Sequence, residues 1–236
     1  MLSVYRKEMR TYLISPIFYV LAVLFAALCA VVFFQLGNFW LVRHASLDGL
    51  FGALPWILAI GLAPAIAMRL WSEESRAGTL ETLMTSPMRS REIVLGKFLS
   101  AWSLLGLCLL ATLPIPITVA ALGELDWGPV VGGYLGAMLM GGALLALGLW
   151  ISALTAHQIV AFMLSAVCGF VLVMLQRMAT QVGGDLGAFL ERLSLSAHFQ
   201  PMARGVVDLR DVLYFVSFIL FFLYLNTLAV EGRRYR

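Results

Sequence analysis

Charge is what this chain lacks. Asp, Glu, Lys and Arg make up 12% of its 236 residues and hydrophobic types 61%, a balance that cannot cover a water-soluble surface. Six runs carry no charged residue at all: 16–37, 50–68, 98–122, 130–153, 159–175 and 212–230. Each is close to the roughly 20 residues that a helix needs to cross about 30 Å of hydrocarbon. Backbone amides find no water in lipid, so each run is expected to be a helix. The expected fold is an all-α polytopic membrane protein, one domain over 1–236 with six transmembrane helices.

Other scarcities exclude chemistry. Spans without ionisable side chains argue against ion-coupled transport and proton relays. Cys29, Cys108 and Cys168 all lie inside the runs, where a thiol behaves as a small apolar group and says nothing of a disulfide. His44, His157 and His198 lie in or beside loops, with no serine elbow and no His-Glu-x-x-His near them. No catalytic residue and no metal site is therefore assigned, and Met138, Met140, Met163, Met174 and Met178 read as packing rather than a soft-metal ladder. A phosphate-binding loop is missing too: Gly96-Lys97 is followed by Phe98, and Arg91 stands where the leading glycine belongs. The chain is not expected to hold ATP or any other cofactor itself.

What is present is arranged around those runs. Arg6, Lys7 and Arg10 precede the first run, whose 22 residues exceed a signal-peptide core, so a retained first span is expected. With the N-terminus inside, Arg6, Lys7, Arg10, Arg69, Arg76, Arg89, Arg91, Lys97, Arg233, Arg234 and Arg236 face the cytoplasm, leaving five of the 16 basic residues outside. That bias places both termini in the cytoplasm of a bacterial inner membrane. The net charge of +3 follows from this topology and gives no reason to invoke nucleic acid.

Over 1–15, Leu2, Tyr5, Met9, Tyr12 and Leu13 recur at helical spacing opposite Arg6, Lys7 and Arg10. Such an interfacial helix either anchors to lipid headgroups or helps to grip a partner. Pro55 and Pro64 interrupt span two and Pro114 and Pro116 span three, candidate hinges that neighbouring helices have to compensate. In span four Gly132 and Gly136, and Gly141 with Ala137 and Gly142 with Ala146, repeat at four-residue spacing, a face that admits close helix packing within the bundle or across a dimer seam. The outer loop 176–211 carries a stripe of Leu186, Phe189, Leu190 and Leu193 and a second helical start near Pro201. Two short extracytoplasmic helices there would form a lid or brace the bundle.

The charged segment 70–97 is the most informative. Leu80, Leu83 and Met84 give a short helix an apolar face, bounded by Gly78 and Pro87, and Ser90 is placed to cap the helix that enters span three. A rigid short helix joined to two spans acts as a lever on both. The run ESRAGTLETLMTSPMRSREIVLGKF, 74–98, resembles the cytoplasmic segment of ABC type-2 transporter permeases, in the branch of gliding-motility and nitrous-oxide-reductase-maturation permeases. A second block, LSLSAHFQPMARGVVDLRDVLY at 193–214, resembles the segment before that branch's last span.

The resemblance implies a permease half that pairs with a second copy and with two separate ATP-binding cassette subunits, which hold the ATP and Mg. It implies that Arg76, Gly78, Thr79, Leu80, Glu81, Leu83 and Pro87 form a coupling helix seated in the ATPase. Uncharged spans favour export of a lipid-like or amphiphilic substrate. The alternatives are a mechanotransmission or assembly scaffold for an envelope complex, with an accessory envelope protein, and export of a metal or sulfur species for metalloenzyme maturation.

Overall fold

The structure, a computed structural model, describes residues 1–36, 46–76, 78 and 89–234. Among them every regular element is helical. Six stretches are long and apolar enough to cross a membrane: Pro16–Gln35, Asp48–Glu74, Ser90–Leu122, Trp127–Leu154, Gln158–Val182 and Leu209–Gly232. The all-α polytopic architecture expected from composition is the one observed.

Helix α1 (Leu2–Ile14) ends at Ser15, which takes the extended conformation that a following proline demands, and Pro16 opens α2 (Pro16–Val31). A π turn, Val32–Leu36, continues α2. Span two comes in pieces. Pro55 lies within α3 (Asp48–Ile57), a π turn occupies Leu58–Leu62, Pro64 sits in the first turn of α4 (Ala63–Ala67), and α5 (Arg69–Arg76) follows a turn at Met68. Each proline removes a donor to the carbonyl four residues back, and the widened turn lies between the two.

Span three is α6 (Ser90–Leu110) and α7 (Pro114–Leu122), with Pro114 opening α7 and Pro116 in its first turn. At the break between them the Thr112 hydroxyl donates to the Leu109 carbonyl at 2.7 Å and meets the Tyr134 hydroxyl at 2.9 Å. Then come α8 (Trp127–Leu154), α9 (Gln158–Val182), the short α10 (Gly184–Leu193) and α11 (Leu195–Ala203), and α12 (Leu209–Arg234).

Helix α8 is the axis. Of its most apolar window 78% is buried, against 22% in spans one and six, so the other elements wrap α8 while α2 and α12 keep wide apolar faces outward. Glycine makes this possible. A Cβ at Gly132 would collide with the Met202 carbonyl, one at Gly136 would lie 3.0 Å from Met202 Cβ, and one at Gly141 would lie 2.6 Å from Leu105 Cδ1. A Cβ at Gly142 would press on Trp102 Nε1 at 2.9 Å. The glycines of α8 therefore seat α11 and α6 of the same chain. Hydrocarbon offers no hydrophobic drive between helices, so such close contacts carry the packing.

Several sequence expectations change. Arg89, extended at ψ 141°, occupies the position before α6, while Ser90 is buried inside its first turn and caps nothing. Helix α11 begins at Leu195 rather than near Pro201, because Leu195, Phe199 and Met202 form its buried stripe, with Met202 against Gly132 and both Met202 and Phe199 against Gly136; Pro201 falls in its last turn. On α10 the stripe points away from the bundle: Leu186, Phe189 and Leu193 are exposed, and the buried residue is Gly187, close against the Ala179 carbonyl.

Candidate functional site

The termini and the segment between spans two and three share one end of the bundle, and there the chain buries charge. Lys97 lies on α6 with 1% of its side chain exposed. Its Nζ donates to Glu8 Oε1 at 2.9 Å, to the Leu70 carbonyl at 2.8 Å and reaches Glu74 Oε1 at 3.0 Å. The same ammonium stands 5.1 Å from the ring centroid of Trp71, itself buried. Lys7 lies 3.8 Å from the same Glu74 oxygen. Two cations thus face two carboxylates, and one buried ammonium joins α1, the end of span two and the start of span three.

Helical periodicity brings these groups together. Val4, Glu8 and Tyr12 follow at four-residue steps on α1, Leu70 and Glu74 on α5, and Ile93, Lys97 and Ala101 on α6. Close approach is set by Gly96, where a Cβ would lie 2.9 Å from Val4 Cβ and 3.2 Å from the Met1 carbonyl. Helix α1 therefore packs on α6 rather than resting on lipid alone, and Tyr5 adds a hydroxyl contact to Ser103 at 3.2 Å. Burial, reinforced by the charges of Glu8 and Glu73, pushes the Tyr12 phenol far above its ordinary pKa, so it stays a neutral hydroxyl.

Beneath the cluster, span two is held across its break. Ser152 Oγ on α8 accepts from the backbone amides of Trp71 and Ser72, each at 3.3 Å, and lies 3.3 Å from the Met68 carbonyl, which the Ser72 hydroxyl also contacts. A neighbouring helix thereby satisfies backbone groups that the interrupted helix leaves open. Leu70, Trp71 and Glu74 are consequently held from both sides, by α8 and by Lys97.

Of the residues expected to couple, Gly78 is described, in a turn with φ +69° that favours glycine, and Arg76 closes α5. Thr79, Leu80, Glu81, Leu83 and Pro87 lie outside the described residues. Of the candidate hinges, Pro55 and Pro64 lie in span two and Pro114 and Pro116 in the far part of span three, and Tyr134 of α8 meets both Phe51 of α3 and Thr112 at the break before Pro114. Sequence reading missed Glu8, Glu74, Gly96, Lys97 and Ser152. The helix expected from Ser90 into span three already contained Lys97, but with the uncharged run starting at 98 Lys97 counted among the cytoplasmic charges. A buried ionisable side chain within a spanning helix points to function. The described residues contain no group of His, Cys, Asp and Glu that could hold a metal ion.

Residues 2–227 match the sequence model described as ABC-2 family transporter protein. No curated protein matches the chain.

Proposed function

The chain belongs to the ABC-2 family of transporter proteins, and from that premise we propose that 70–97 receives the stroke of the ATPase and delivers it to spans two and three. The family makes the chain an integral membrane permease subunit, without an ATPase site, that associates with an ATP-binding cassette partner. The supporting observation is Lys97: buried, and bonded at once to α1, α5 and the start of α6. Any displacement of the segment between α5 and α6 moves Glu74 and Lys97 as a unit, carrying α1 with them.

In this reading Arg76, Gly78, Thr79, Leu80, Glu81, Leu83 and Pro87 meet the ATPase, with Leu80 and Leu83 filling its groove and Glu81 bonding to it. Two ATPase subunits hold the ATP and Mg, and a second copy of the chain completes the permease. Both termini lie in the cytoplasm of a bacterial inner membrane, and the protein sits in the gliding-motility and nitrous-oxide-reductase-maturation branch. Pro55, Pro64, Pro114 and Pro116 let spans two and three change shape. The cargo, exported outward, is lipid-like or amphiphilic, in keeping with the six long uncharged runs of the sequence.

Replacing Glu81 and Leu83 with Ala is expected to lower permease-stimulated ATP hydrolysis about tenfold or more in the reconstituted complex. Thermal unfolding of the permease alone should not move. Stimulated hydrolysis equal to that of the parent would take coupling away from these residues.

A further inference from the structure

At the opposite end of the bundle from the termini, α10, α11 and the start of α12 enclose a cleft of about 470 Å³ that the coupling function leaves unused. Its charged lining consists of Glu191, Arg192, His198, Asp208, Arg210 and Asp211. His198 and Asp211 form its floor. The His198 ring has Nδ1 2.7 Å from Asp211 Oδ1 and Nε2 3.2 Å from the Arg192 carbonyl, and it stacks on Tyr214 at 3.9 Å between centroids. Tyr214 in turn donates to the Leu193 carbonyl at 2.7 Å. Three helices are pinned around one buried pair.

The two arginines are fixed by their backbones and left open at their tips. The Arg192 carbonyl is held by His198, and the Arg210 amide donates to Asp208 Oδ1 at 3.1 Å. Yet neither guanidinium forms an ion pair among the described residues, nor does Glu191. Val206, in the lining, is 61% exposed, and Leu209, between the lining residues Asp208 and Arg210, is 70% exposed. A mixed-charge cleft with exposed Val206 and Leu209 beside it suits the boundary between headgroups and acyl chains.

We propose that this cleft binds the headgroup of a zwitterionic aminophospholipid. Its phosphate lies between Arg192 and Arg210, whose planar forks suit phosphate oxygens. Its primary ammonium donates to Glu191 and Asp208, and its acyl chains run over Val206 and Leu209. Both signs of charge in the lining match both signs in such a headgroup, whereas a purely anionic lipid would face Glu191 and Asp208 without compensation. The volume, roughly 15 times that of a water molecule, suits a headgroup rather than a lone ion. The site is independent of what the transporter carries and of how the ATPase is coupled.

The test is the thermal unfolding midpoint of the full chain in neutral detergent, titrated with phosphatidylethanolamine, phosphatidylcholine, phosphatidylglycerol or free phosphoethanolamine. Phosphatidylethanolamine is expected to raise the midpoint by about 5 °C and the others by much less. The R192Q/R210Q variant is expected to keep its lipid-free midpoint and lose that rise. Equal rises with phosphatidylcholine, whose quaternary ammonium has no N–H to donate, would overturn the proposal, as would a full rise in the double variant. A rise as large with free phosphoethanolamine would make the cleft a soluble-ligand site and overturn the lipid assignment. Should the double variant fail to fold, the comparison of lipids on the parent chain decides alone.

Discussion

Replacing Lys97 with Met is expected to destabilise the permease by about 3–5 kcal/mol, the cost of leaving buried carboxylates without their cation. Glu8 Oε1 and Glu74 Oε1 lie 2.9 and 3.0 Å from the ammonium, so its loss sets two negative groups against each other. The Leu70 carbonyl loses its 2.8 Å donor at the same time. Lys7, 3.8 Å from Glu74 and largely exposed, offsets little of this. The measurement is reversible unfolding in mixed micelles. Arg69→Met is the control, since its 3.4 Å pair with Glu73 is exposed on the acid's side and exposed pairs contribute about 1 kcal/mol or less. Equal destabilisation by the two variants would contradict the burial argument.

Leu in place of both Gly136 and Gly141 is expected to cost about 1–3 kcal/mol per site by overpacking. At Gly141 the new side chain has to enter the space of Leu105, and at Gly136 that of Met202 and Phe199. The surroundings also set an order among smaller changes. Gly132→Ala meets backbone, the Met202 carbonyl and Gly205 Cα at 3.1 Å, whereas Gly141→Ala meets a side chain able to turn. Gly132→Ala should therefore lower the melting temperature more than Gly141→Ala does. An unchanged midpoint in the Gly136/Gly141 double variant would mean that this face touches only lipid.

The spans were legible because lipid imposes a single demand, apolar residues over a helix long enough to cross. Their ends were not, since helices continue past the apolar run wherever tertiary partners accept charge. Lys97 shows how: it lies one residue before an uncharged run, but at helical spacing from Ile93 and Ala101, on the face that packs inward. The helix expected from Ser90 already held it, but its charge placed it with the cytoplasmic segment rather than in the packed core. Outer helix α11 was misplaced for a related reason. Pro201 reads as a helix start, yet Leu195, Phe199 and Met202 already mark a stripe six residues earlier. Ser152 carried no local signal at all, because its partners at Met68, Trp71 and Ser72 lie about 80 residues away in the chain and meet it only in the fold.

Stability and transmission are separable at the charge cluster. A triple variant, E8Q/E74Q/K97M, removes cation and carboxylates together, so no buried charge is left unpaired and glutamine amides remain to serve the Leu70 carbonyl. Its unfolding free energy should return close to that of the parent, as replacement of whole buried ion pairs commonly allows. The decisive measurement is ATP hydrolysis by this variant assembled with its ATPase partner in lipid nanodiscs. If the ion cluster transmits the stroke, the triple variant is stable yet stimulated hydrolysis stays near that of the ATPase alone. Stimulation restored to the parent level along with stability would contradict the account and leave Lys97, Glu8 and Glu74 as packing.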